Sequence, residues 1–400
     1  PPFPGRTASA TPPVVAAPAP VAAPATPEPE LPPIAPPGPT RSGVLFAVGL
    51  AALLTAISAY AGGGQDLSSA TTIEIVLQIL AGGTITLAIL TAPARDRMPG
   101  FLLAGLMALL AAYTALSISW AVNPSAAWVE TNRAFTYAMT LVAGVALVRL
   151  APGRWAALIA AILISSALIT LYAIGSMVFP AWLSPDETLA RLRTPFGYWN
   201  AVGLAAALGV PACLWWGTRR EGHAAARAAA APLLALLLFT ILLAYSRGAL
   251  AAAVIGAILW FVLVPLRLRS AAVLIIGLLG AGAAAAWTFS QAALSEDKVP
   301  LASRDTAGHW LGLLLVAMII VTLALSMSVS FFASRRPLSG DARRRVGIAL
   351  IVLVALVPIA VLGRLAVSDR GLPGSISHQW TQLTDPAATD PGNSAGRLTA

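Results

Sequence analysis

Cysteine is almost missing from this chain: Cys213 is the only one in 400 residues, and it lies inside an apolar run. A single thiol excludes a disulfide framework and a thiolate metal cluster. Histidine is nearly as scarce, at positions 223, 309 and 378, which argues against a histidine-rich metal centre. Charge is the third shortage. Asp, Glu, Lys and Arg make up only 10% of the residues, whereas a soluble domain carries about a quarter. No Asp-rich metal motif stands among the polar connectors, so no cofactor is expected.

What is present is hydrocarbon. Apolar residues make up 58% of the chain and the mean hydropathy is +0.81. Runs of about 20 apolar residues recur along it, the length that crosses a bilayer as helix. The chain therefore reads as an all-α polytopic membrane protein. Its net charge of +9 and pI near 10.7 do not point to nucleic acid, because the basic residues are scattered over many short connectors rather than gathered on one face. Membrane lipids are the expected surroundings.

Three regions follow from composition. Residues 1–40 are rich in Pro and Ala with few charges. Proline at that density blocks helix and sheet ladders, so a disordered tail is expected. Residues 41–366 hold about eleven spans by length and apolarity: 43–61, 72–91, 100–121, 134–150, 156–177, 198–217, 229–245, 248–264, 271–289, 310–332 and 346–366. Residues 367–400 read as the start of a large polar loop. The chain has no initiator Met and stops at GRLTA, so it reads as a fragment.

Arginine sets the orientation. Arg95 and Arg97, Arg149 and Arg154, Arg219, Arg220 and Arg227, Arg267 and Arg269, and then Arg335 to Arg345 fall in alternate connectors. The connectors between these are poorer in positive charge. Lys and Arg accumulate on the cytoplasmic side of short loops. The amino terminus and the Arg-rich connectors are therefore assigned to the cytoplasm, and the loop after 366 to the outside.

That assignment leaves Arg191, Arg193 and Arg247 on the outer side, where the rule disfavours them. The first two stand in FPAWLSPDETLARLRTPFGYWNAVG (179–203), a connector that also carries Asp186 and Glu187. Gly197 permits a tight turn there, Asn200 is expected to cap the next helix with its side-chain carbonyl, and Tyr198 and Trp199 suit the interface. Arg247 stands in Tyr245-Ser246-Arg247-Gly248, a lone charge in an apolar stretch too long for one span, so a tight hairpin is expected. Two explanations are open. The arginines anchor helices by snorkelling to the interface, or they hold a shared anionic ligand, which suits a planar, permanently charged fork.

RLRTPFGYWNAVGLAAALGVP followed by LLAYSRGALAAAVIGAIL, with SISWAVNPSAAWVETNRAFTYA earlier, resembles the O-antigen ligase and polymerase family of bacterial envelope glycosyltransferases. The resemblance covers roughly residues 43–400. Where the family often carries an Asn-Pro-Asn-like turn, this chain has Tyr198-Trp199-Asn200. The resemblance implies a multi-pass, GT-C-like fold in the bacterial cytoplasmic membrane. It implies a metal-independent transferase whose donor is a glycan on polyprenyl (undecaprenyl) diphosphate. In that picture Arg191, with Arg193 adjacent, and Arg247 bind the diphosphate. A histidine on the large outer loop would assist the acceptor hydroxyl. That histidine is expected beyond residue 400, with His378 the weaker candidate inside the chain. Ligase and polymerase differ in the acceptor, which the sequence does not name; a polysaccharide or lipid transporter or flippase is the alternative from another class.

Secondary features complete the outer side. Glu130 and Arg133 are expected to pair on a helix. His309 is placed at the outer mouth of the tenth span, Glu74 near the outer start of the second, and Arg364 where it could join the cationic cluster.

Overall fold

The computed structural model describes residues 40–91, 100–219, 223–264 and 267–335, with a few positions between 341 and 347. Every regular element among them is helical. Ten helices carry the architecture: α1 Arg41–Ala59, α2 Leu67–Thr91, α3 Phe101–Ser117, α4 Pro124–Leu150, α5 Trp155–Val178, α6 Trp199–Thr218, α7 Ala230–Leu243, α8 Arg247–Leu263, α9 Arg267–Ser290 and α10 Leu301–Arg335. Among the described residues nine helices, α7 counted with the short turn Ala224–Ala228 before it, are long and apolar enough to cross a membrane; α8 is apolar but shorter. Residues 1–39 of the expected tail, all of the expected span 346–366 except position 347, and Arg95, Arg97, Arg364 and His378 lie outside the described residues.

Local chemistry sets the boundaries. Thr40 accepts from the Gly43 amide at 3.1 Å, which starts α1. Asn123 accepts from the Ala126 amide at 3.3 Å, and Pro124 opens α4 with the fixed φ suited to a first helical position. Ser246 accepts from the Ala249 amide at 3.1 Å and starts α8. Helix α4 thus begins at Pro124 rather than at 134, and α10 at Leu301 rather than at 310. Their first turns are polar but helical, so hydrophobicity does not reveal them.

The core lies around α7, whose residues are almost all buried; Leu234, Leu237 and Phe239 are fully so. It is wrapped by α5, α6, α9 and α10, while α1 packs on α5, α8 on α6, and α2 and α3 on α4. Leucines and isoleucines of α2 and α3, such as Ile89, Leu102 and Leu109, point outward. Outward apolar faces suit a lipid solvent. Lipid offers no hydrophobic drive between helices, so close packing of small residues holds such a bundle. The contacts fit: a Cβ at Gly209 would stand 2.8 Å from Ser166 Cβ, and one at Gly280 would stand 2.7 Å from Thr322 Cγ2. Cys213, buried in α6, directs its thiol at the Ala230 carbonyl at 3.1 Å, a packing role. Gln78 on α2 donates to Thr136 on α4 at 2.8 Å.

The two ends of the bundle differ. At one, Arg154 stands over the Phe46 ring at 5.6 Å and Trp155 meets the Trp215 ring edge-on at 5.7 Å. Arg219 lies over Trp215 at 4.8 Å. This brings together the start of α1, the α4–α5 connector and the end of α6. At the other end the connectors 60–66, 179–198, 244–246 and 291–300 meet. The connectors beside Arg154 and Arg219 thus lie at one end, and those holding Arg191, Tyr245 and Asp297 at the other.

Candidate functional site

The connector 179–198 is the longest between two long helices in the described bundle, and it is built rather than loose. It leaves α5 through a short turn, Pro180–Leu183. Ser184 Oγ donates back to the Ser176 carbonyl at 2.8 Å. The return into α6 runs through Gly197 at φ +67°, in the left-handed region that glycine enters without cost. Phe196, buried, lies against Gly63 of the α1–α2 connector, where a Cβ would stand 3.0 Å from its ring. The expected cap by Asn200 does not form. Tyr198 occupies the N-cap position with no side-chain capping bond, and Asn200, already inside the first turn, donates from Nδ2 to Tyr198 Oη at 2.5 Å. The helix starts two residues earlier than a cap at 200 requires, which puts the amide side chain beside the phenol.

The expected hairpin at 244–246 is present. Tyr245 takes φ +51° and Ser246 caps α8, which leaves Arg247 in that helix's first turn, exposed. Gly203 of α6 admits this turn: a Cβ there would lie 2.8 Å from Ala249 Cβ and 3.1 Å from Ser246 Cβ.

The two arginine segments touch. The Leu192 amide donates to the Leu243 carbonyl at 3.2 Å. Arg191 Cζ stands 5.2 Å from the Trp199 ring centre and 5.6 Å from that of Tyr245. Each such contact is worth about 1 kcal/mol where solvent is partly excluded. The attraction uses the charge and the ring quadrupole; the guanidinium N–H donors remain available to an acceptor in its plane. Burial raises the Tyr245 pKa above its usual range; the Arg191 charge opposes that rise and the Asp297 carboxylate adds to it.

Arg193 is placed differently. Its Nε is buried without a hydrogen-bond partner, and lies 3.6 Å from Glu187 Oε2, an ion pair longer than a hydrogen bond. Oε1 of the same carboxylate accepts from the amides of Thr188 and Leu189 at 3.0 and 3.1 Å.

A third segment, not anticipated, holds this connector from the side. Asp297 Oδ1 accepts from the Ala190 amide at 2.9 Å. The Lys298 amide donates to the Thr188 carbonyl at 2.6 Å. From α10, Arg304 donates through Nη1 to the Glu187 carbonyl and through Nη2 to that of Ser184 at 3.3 Å. Between the segments lies a pocket whose walls include Ser176, Glu187, Arg191, Thr194, Glu296 and Arg304. The signal for Arg304 was Pro300 followed by a polar run of helix formers, the start of a helix that the hydropathy minimum hid.

Arg247 is brought to the same turn as Tyr245. His309 lies apart, its Nδ1 3.7 Å from Asp305 and its ring edge-on to Phe179. His223 stands at the opposite end, before the short helix Ala224–Ala228. Arg133 and Glu130 form the expected pair at 2.8 Å on the exposed start of α4.

These features define the class: an all-α, multi-pass membrane protein with a structured cluster of arginines and carboxylates at one end of its bundle. Comparison of the chain with protein-family models, with curated proteins and with solved structures finds no match.

Proposed function

We propose that the protein is a membrane glycosyltransferase of the GT-C-like kind, resembling O-antigen ligases. It moves a glycan from a polyprenyl-diphosphate carrier to an acceptor outside the bacterial cytoplasmic membrane, with its amino terminus in the cytoplasm. One observation carries the reading: the segments holding Arg191, Arg193 and Arg247 meet at one end of the bundle, with Arg191 seated against Tyr245, two residues from Arg247.

The chemistry follows. The acceptor oxygen bonds to the anomeric carbon as the bond from that carbon to the diphosphate oxygen breaks. The acceptor proton goes to a base, for which His378 is the candidate within the chain. The lipid diphosphate leaves with its new charge held by guanidinium groups. Fixed donors aimed at charge that develops in the transition state are the strongest catalytic device such a site can offer.

The test is glycan transfer by the full-length protein in liposomes containing a polyprenyl-diphosphate-linked glycan. Arg191→Ala and Arg247→Ala are each expected to lower transfer roughly a hundredfold while the protein stays folded, Arg191→Ala losing at most about 2 kcal/mol of stability with its two ring contacts. Transfer onto a second lipid-linked repeat identifies a polymerase. Movement of the lipid across the bilayer with no transfer sinks the enzyme reading in favour of a flippase.

A further inference from the structure

The carboxylate of Glu187 occupies a place built for an anion. Two consecutive backbone amides, of Thr188 and Leu189, donate to its Oε1 at 3.0 and 3.1 Å. Its Oε2 faces Arg193 Nε at 3.6 Å. Two adjacent amides and a guanidinium are the groups that elsewhere cradle a phosphate oxygen. Three further features make this arrangement more than a surface ion pair. The Arg193 Nε is buried yet has no hydrogen-bond partner, so the resident carboxylate neutralises its charge without satisfying its donor. Glu187 lines the pocket together with Arg191 and Arg304. And the backbone on which Glu187 stands is held independently of its side chain, by Arg304 at the Ser184 and Glu187 carbonyls and by the Lys298 amide at Thr188. Moving the side chain out would therefore leave these backbone contacts in place.

We infer that Glu187 is a resident anion that a phosphate-bearing ligand must displace from Arg193, and that it thereby sets the affinity and selectivity of the pocket for anions. The inference rests on the diphosphate reading above and adds a residue to it. Glu187 excludes weakly charged anions, because a single negative charge gains too little at Arg193 to replace a tethered carboxylate. A diphosphate, carrying more charge over more oxygens, gains enough. Glu187 is a specificity-determining residue, not a catalytic one.

The substitution Glu187→Gln separates charge from architecture. Its amide oxygen still accepts from the two backbone amides, while the negative charge beside Arg193 is gone. The probes are inorganic diphosphate, farnesyl diphosphate, and farnesol as the control for the lipid alone. Binding is measured to the full-length protein in nanodiscs at two salt concentrations. Relative to wild type, Glu187→Gln is expected to bind both diphosphates roughly fivefold more tightly, the scale of one partly screened charge pair, and to depend more steeply on salt. Farnesol binding is expected not to change. In an Arg193→Ala background the gain from Glu187→Gln should vanish, because the two side chains act as one pair. Diphosphate binding by wild type that is weakened by Arg191→Ala yet indifferent to Glu187→Gln overturns the inference and leaves the diphosphate reading intact. Binding of neither diphosphate by either protein overturns both. Binding by Glu187→Gln alone supports the displacement outright.

Discussion

Tyr245 shows how much a single position in this cluster is asked to do. Its backbone sits at positive φ, its ring supports Arg191, and its ring also meets Phe289 edge-on at 5.6 Å. Its phenol titrates above the ordinary value near 10 because burial disfavours the phenolate, with Arg191 pulling it down and Asp297 pushing it up. Two consequences follow. Arg191→Ala removes the cation that favours phenolate, so the Tyr245 pKa should rise further; Asp297→Asn should lower it. Ultraviolet titration of each variant against its Tyr245→Phe counterpart reads the difference, and a shift of the opposite sign in either would mean that the ring and the guanidinium are not neighbours. For stability, the folded state holds this proton more tightly than the unfolded chain. That contribution is complete below the unfolded pKa and is lost as pH rises through the folded value, so it does not vary near neutrality. The sequence offered Arg191, Arg193 and Arg247 as candidates because charge in an apolar text is conspicuous. It did not offer Tyr245 as the partner of Arg191, because that contact joins residues 54 positions apart and depends on how α6 and α8 pack.

Helices carry their own version of the same division. About twenty apolar residues in a row announce a span wherever they occur, and the described helices fall where such runs lie. Their polar ends are silent in hydropathy, so the head of α10, with Ser303, Arg304 and His309, was legible only as connector. Yet this head is what binds the connector 179–198. It can do so because Gly308 lets α10 ride directly on the end of α5: a Cβ there would meet the Met177 carbonyl oxygen at 2.5 Å and that of Val178 at 2.8 Å. Backbone cannot yield as a side chain does. Gly308→Ala is therefore expected to lower stability by about 1–3 kcal/mol, the usual cost of overpacking, and to pull Arg304 off its two carbonyls. Gly282→Ala on α9, with nothing within 4 Å of a new Cβ, should leave the melting temperature within a degree or two. Thermal unfolding in detergent distinguishes them; equal melting temperatures would show that α10 does not rest on α5 in this way. Gly312→Ala, facing only the Val178 side chain at 2.8 Å, should fall between the two.

At the scale of the molecule, everything proposed for the arginines requires that four connectors share one side of a membrane. The alternation of Arg-rich connectors assigns them to the outside. Packing supplies only the shared end, since 60–66, 244–246 and 291–300 each contact 179–198 while Phe46, Arg154 and Trp215 gather at the other end. The chain supplies a convenient background for a test, because its only cysteine is buried in α6 and engaged with the Ala230 carbonyl. Single cysteines at exposed positions report sidedness against that background: Val122, Asp186 and Ser303 in or beside the connectors assigned to the outside, Ala225 at the opposite end. A membrane-impermeant maleimide added to intact cells whose outer envelope has been opened is expected to label Val122→Cys, Asp186→Cys and Ser303→Cys. It should reach Ala225→Cys only after the cytoplasmic membrane is permeabilised. Labelling of all four from outside would mean that the α6–α7 connector is not cytoplasmic and that charge has misassigned the bundle. Labelling of Asp186 and Ser303 from opposite sides would be worse for the proposal, because Arg304 could not then hold the backbone at Glu187, and the cradle that positions Arg191 and Arg193 would not exist as a unit.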